Sequence, residues 1–168
     1  SLDDLSFKLC GITTYAKSME NCSNSGNITI VNTEKNDPEY GPALTACGVI
    51  EKCRQKITGC SNTGNISVTN KGGKESTTGA TISGVFGSSG KAASRCYNTG
   101  NISYKGVCTD YSLDKAIWVQ GVGTGYGTSE CYNTGKITVK LTSGTACVGG
   151  VSYAGRKLKN CYNTGAVS

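Results

Sequence analysis

The chain has 168 residues, 17 lysines and arginines against 11 aspartates and glutamates, no histidine and a formal charge of +6. That length fits one domain, and no apolar run reaches the roughly 18 residues that a membrane-spanning helix needs, so no membrane insertion is expected. Without histidine, neither Ser-His-Asp nor Cys-His catalysis is available, and a hydrophobic share of 36% is thin for a thick globular core.

In chain order, residues 1–9 are mixed and read as a cap or as the remnant of a preceding unit. Then a phrase begins that returns throughout the chain. Its first copy is Cys22-Ser23-Asn24-Ser25-Gly26-Asn27-Ile28-Thr29, and its third is Cys96-Tyr97-Asn98-Thr99-Gly100-Asn101-Ile102-Ser103. The other copies start at Cys60, Cys131 and Cys161, giving intervals of 38, 36, 35 and 30 residues. A fainter phrase keeps step 10 to 12 residues ahead: Gly11-Ile12, Gly48-Val49, Gly84-Val85, Gly121-Val122 and Gly150-Val151. Self-similarity at such a period marks a repeat architecture. Each unit reads as a Gly-Ile/Val strand, a short turn, a Cys-x-Asn-Thr/Ser-Gly corner, an Ile-Ser/Thr strand and a loop that absorbs the length variation.

Along the units, Ile28 and Ile30 alternate with Asn27 and Thr29, the period of a half-buried strand. The loop 34–42 holds both prolines, which central strands exclude. In the second unit Ile66 and Val68 face inward, followed by a Lys/Gly-rich loop over 70–79. The third strand begins Asn101-Ile102-Ser103-Tyr104, with a loop over 105–115 that includes Cys108. The fourth unit carries Ile137, Val139 and Leu141. The fifth reaches only Ala166-Val167-Ser168, so the chain reads as a fragment of a longer protein. No stretch has helical periodicity. The expected fold is all-β: a right-handed parallel β-solenoid of about five rungs, one repeat per rung, with residues 1–168 forming a single repeat domain.

The corner has its own chemistry. Gly tolerates φ > 0, and Asn can satisfy the turn backbone with its side chain. Rungs stacked in parallel lie about 4.8 Å apart, so equivalent residues form columns. This predicts an asparagine column (Asn24, Asn62, Asn98, Asn133, Asn163), a cysteine column (Cys22, Cys60, Cys96, Cys131, Cys161) and an aliphatic column (Ile28, Ile66, Ile102, Ile137, Val167). An outward hydroxyl column of Thr29, Ser67, Ser103 and Thr138 lies beside Asn27, Asn65, Asn101 and Lys136. That lysine argues against a flat ice-binding face.

The unit, Gly-Ile/Val followed by Asn-Cys-Tyr-Asn-Thr-Gly-Asn-Ile-Ser, resembles the GLUG-type repeat of bacterial surface proteins. The Cys-x-Asn-Thr/Ser-Gly half matches well in all five copies. The Gly-Leu-Val-Gly half is degraded to forms such as Cys-Gly-Val and Ser-Gly-Val-Phe-Gly. The resemblance implies a β-solenoid in a secreted or cell-surface bacterial protein, as in adhesins and the non-catalytic parts of immunoglobulin A proteases.

Of the ten cysteines, Cys10 and Cys47 share one position ahead of the Gly-Ile/Val phrase, while Cys53, Cys108 and Cys147 break the pattern. With no histidine and no Cys-x₂-Cys pair, zinc is not expected, and no cofactor is expected at all. The five-member column reads as buried thiols, because stacked identical cysteines are poorly placed for an unstrained bridge. Disulfides are expected among the irregular cysteines, and Cys10–Cys47 is the column pair to test first.

For function, no catalysis is expected. Asp37/Glu39 and Asp110/Asp114 lie in polar loops, and no acidic residues stand in register as a β-helix polysaccharide enzyme would require. Two features suit binding. Tyr97, Tyr132 and Tyr162 share one outward column, which can contact sugar rings or anchor a protein. The turns between the Gly-Ile/Val phrase and the cysteine carry Lys17, Lys52, Arg54, Lys56, Lys91, Arg95, Arg156, Lys157 and Lys159 against Glu20, Glu51 and Glu130. Nine minus three equals the net +6 of the whole chain. The expectation is a non-enzymatic bacterial surface module that docks a host protein or glycan, immunoglobulin or mucin among them. The alternatives are a structural stalk of a larger surface protein or protease, and a polysaccharide-active β-helix enzyme. Nucleic acid is not an expected partner, because no aromatic residues interleave with the basic edge.

Overall fold

The computed structural model describes residues 6–32, 43–71, 79–107 and 116–168. The expected loop 34–42 with Asp37 and Glu39 lies outside the described residues, as do Cys108, Asp110 and Asp114. The first winding runs β1 (Ser6–Cys10), β2 (Thr13–Ala16), β3 (Met19–Glu20), β4 (Ser23–Asn24) and β5 (Ile28–Asn32). The second repeats it as β6 (Ala43–Cys47), β7 (Ile50–Cys53), β8 (Ile57–Thr58), β9 (Ser61–Asn62) and β10 (Ile66–Asn70). In the third, β11 (Ala80–Ser83) leads into one long strand, β12 (Phe86–Ser94), then β13 (Tyr97–Asn98) and β14 (Ile102–Gly106). The fourth has β15 (Ile117–Gln120), β16 (Thr124–Ser129), β17 (Tyr132–Asn133) and β18 (Ile137–Leu141). β19 (Ala146–Gly149), β20 (Leu158–Lys159), β21 (Tyr162–Asn163) and a parallel bridge from Val167 to Ile137 complete the described chain.

Equivalent strands pair in parallel, in the orders β1-β6-β11-β15-β19, β2-β7-β12-β16-β20, β4-β9-β13-β17-β21 and β5-β10-β14-β18. The protein is an all-β parallel solenoid, with no helix among the described residues. Of the five expected rungs, about three are full interior turns, covered by a neighbour on each side. The first and last expose hydrophobic side chains at the two ends, among them Phe7 and Val31 at one and Leu158 and Val167 at the other. The interior divides into two stacks. One is aliphatic except for the buried Tyr104, and gathers Ile28, Ile66, Ile102 and Ile137 with Leu44, Ile82 and Ile117. The other joins Val49, Val85 and Val122 to Ile50, Phe86 and the central cysteines.

The Gly-Ile/Val phrase corrects the sequence reading. It is a bend between two strands, not a strand. The glycine is needed there because of its neighbours: a Cβ on Gly84 would sit 1.8 Å from the carbonyl oxygen of Gly121 and 2.7 Å from the side chain of Asn98. The glycine of Asn-Thr-Gly likewise serves close approach rather than positive φ, since a Cβ on Gly100 would lie 2.0 Å from the Gly64 carbonyl oxygen. Each rung does carry a left-handed residue, one position before its cysteine: Asn21 (52°), Gly59 (63°), Arg95 (52°), Glu130 (54°) and Asn160 (52°). Asn and Gly suit that conformation, whereas Arg and Glu are strained in it.

Candidate functional site

The repeated corner is a self-contained structural spine. Asn62, Asn98 and Asn133 are fully buried. Each donates to the carbonyl of the glycine two residues on and to the Oδ1 of the next asparagine, at 2.7–2.8 Å. Asn24 makes the same two bonds at 2.8 Å. A second ladder, not foreseen from sequence, runs on the outer surface: Asn27, Asn65 and Asn101 accept from the backbone N–H of Asn65, Asn101 and Lys136 at 2.9 Å. The signal for it was the recurrence of Asn immediately after the corner glycine.

The cysteine column lies just inside this corner. Cys60, Cys96 and Cys131 are buried, with Cys22 and Cys161 half-buried at the ends. Every thiol approaches the carbonyl two residues earlier, from 3.2 Å at Cys131 to 3.5 Å at Cys60. A small weak donor thus closes the left-handed corner from inside. The Cys96 thiol is held well above the usual thiol range by its bonds to Cys131 and Cys60, and then by burial. Cys10 and Cys47 are paired in register but both are free thiols, as are Cys53 and Cys147, so the expected bridges are not formed among the described residues. The position they occupy continues as Ser83, Gln120 and Gly149. Gln120 is fully buried there, donating to Ser83 Oγ at 2.9 Å and to the Gly87 carbonyl at 3.1 Å.

Tyr97, Tyr132 and Tyr162 stack directly on one another, with ring centroids 5.0 Å apart and planes within 3°. The faces between them are therefore occupied, and the stack presents ring edges and a row of hydroxyls. Burial, followed by the flanking Tyr97 and Tyr162, pushes the Tyr132 phenol up.

The basic residues follow one sheet and the bends between its strands. Lys52, Lys91 and Lys159 lie within strands, and Arg54, Lys56, Arg95, Arg156 and Lys157 lie in the same course of the chain; all are exposed. Their strands β7, β8, β12 and β20 share one sheet with β16. The single ion pair drawn among the described residues, Lys8–Glu51 at 2.7 Å, takes one of the three nearby carboxylates and engages none of these cations. The register of this sheet shifts between Ser89 and Ala92, where β12 is longer than β16. Two clefts open beside it. One, about 400 Å³, is lined by Ser88, Thr124, Tyr126 and Arg156 among others, with the Arg156 guanidinium 4.7 Å above the Tyr126 ring. The other, about 390 Å³, is lined by Ser18, Met19, Glu20, Lys56, Thr58 and Arg95. Tyr126 was missed from sequence because it stands outside the repeated phrase. No group of three or more Cys, Asp or Glu is arranged to hold a metal ion among the described residues.

Neither a protein-family model, nor a curated protein, nor a solved structure matches this chain. The class defined by its fold is the parallel β-solenoid repeat protein.

Proposed function

We propose that the protein is a non-enzymatic module of a secreted or surface-attached bacterial protein of the GLUG-repeat type, and that its basic sheet docks an acidic host glycan such as a sulfated or sialylated mucin chain. The observation that carries this reading is the gathering of eight exposed cations, from Lys52 to Lys159, along one sheet and its bends, with no ion pair to any of them among the described residues. Like charges held together in this way raise the local potential and attract polyanions. The repeated corner supports the reading from the other side, because its polar groups are spent on one another and leave the sheet as the variable surface.

Binding to immobilised mucin and heparin across a salt series tests it. Wild type is expected to bind and to weaken steeply as salt screens the sheet, and Lys52→Glu with Arg54→Glu is expected to weaken binding at low salt. No binding by wild type, or binding unaffected by both salt and the double variant, overturns it.

A further inference from the structure

The basic sheet has a relief that charge alone does not describe. Ile57, Ala93, Thr128 and Leu158 pair across four strands. One residue before each come Lys56, Ala92, Gly127 and Lys157. Ile57, Ala93 and Thr128 are buried, so the preceding positions face out; Lys56, Ala92 and Lys157 are exposed and Gly127 is half-buried. The middle of this line is low: Gly127 has no side chain, and a Cβ placed on it would meet nothing within 4 Å. Lysines stand at the two ends, about 14 Å apart by three strand spacings of about 4.8 Å. The cleft of Lys56 and Arg95 opens at one end, and the cleft of Arg156 and Tyr126 lies beside the floor, over the earlier residues Ser88, Ser89, Thr124 and Gly125 of the same strands β12 and β16.

We infer that the cleft of Lys56 and Arg95, the floor of Ala92 and Gly127 and the cleft of Arg156 and Tyr126 that flanks it form one trough across the basic sheet, and that it holds a single extended acidic polysaccharide chain, its anionic groups meeting Lys56 and Arg95 at one end and Lys157 and Arg156 at the other. This rests on the proposed function and narrows it to one path across the sheet. The chemistry favours a glycan. The lining is mostly hydroxyls, short side chains and cations; its one carboxylate, Glu20, stands beside Lys56 and Arg95, and its larger apolar groups, Met19 and Tyr126, lie in separate clefts rather than together as the central anchor a protein partner needs. A single-stranded nucleic acid would need free aromatic faces for its bases, and the tyrosine stack has its inner faces closed while the Tyr126 ring lies under Arg156.

The trough makes a demand that a diffuse basic surface does not: filling its floor without changing charge must block it. Ala92→Phe and Gly127→Phe place neutral rings in open space on the outer face, and matching thermal melts confirm the fold. With size-defined heparin oligosaccharides as probe, each is expected to lower affinity at least tenfold, and Lys56→Gln with Lys157→Gln to lower it further than Lys52→Gln with Arg54→Gln. If wild type binds and the neutral blocking variants bind equally well, the trough is overturned while the basic-sheet reading stands. If wild type does not bind, both fall. Tighter binding of an oligodeoxynucleotide or of polyglutamate, matched to heparin in total charge, overturns the assignment to a glycan.

Discussion

Two sides of the same windings obey different rules. On the corner side, every rung repeats the same solution: a left-handed residue, a cysteine closing back on a carbonyl, an asparagine in one ladder, buried and bonded above and below in the three interior rungs, and glycines where backbones nearly touch. On the basic sheet, equivalent positions hold Lys56, Ala92, Gly127 and Lys157, and the register slips within β12. The difference follows from where polar groups can find partners. A buried amide must be hydrogen-bonded, at a cost of about 1–3 kcal/mol if it is not, so the ladder allows little but Asn. An exposed strand position is satisfied by water and is free to diverge, which is where recognition can evolve.

The sharpest way to break this contrast is to disturb the spine. Gly84→Ala forces a methyl group into the Gly121 carbonyl and the Asn98 side chain, and is expected to destabilise by about 3 kcal/mol or more. Urea denaturation measures it. A loss under about 1 kcal/mol would mean that the rungs move apart more easily than the close approach implies.

Asn98→Ala removes two donated bonds and the acceptor for Asn62. The expected cost is about 2–3 kcal/mol, against about 1 kcal/mol for Asn163→Ala at the exposed end of the same ladder. Equal effects at the two sites, read from urea midpoints, would show that burial is not what makes the ladder strict.

Some spine positions are themselves imperfect. Glu130 is held at φ 54°, so Glu130→Gly is expected to relieve strain and stabilise by about 1 kcal/mol. A fall in melting temperature would reveal a bond made by Glu130 that outweighs its strain.

The smallest expected effect lies on the other side. Lys91→Ala, exposed on the basic sheet, should change stability by no more than about 0.5 kcal/mol while still weakening heparin binding. A large loss of stability would assign that lysine to the fold.

The sequence by itself determined the architecture, because a period carried by Asn, Cys, Gly and Ile admits one economical arrangement, parallel stacking with like residues in columns. It also located the asparagine, cysteine, tyrosine and aliphatic columns. Which glycine needed which property was not legible. That depends on how near Gly121 comes to Gly84 and Gly64 to Gly100, and residues 36 or 37 positions apart in the chain meet only through stacking. The second asparagine ladder, the buried Gln120 and the seat of Arg95 and Glu130 were hidden for the same reason. The tertiary structure also decided the character of the candidate site. Sequence supplied the cations, but only pairing across β8, β12, β16 and β20 sets Lys56 and Lys157 at the ends of a line whose centre is Ala92 and Gly127. Side-chain direction alternates along each strand, so a slip of one residue would have turned that line inward.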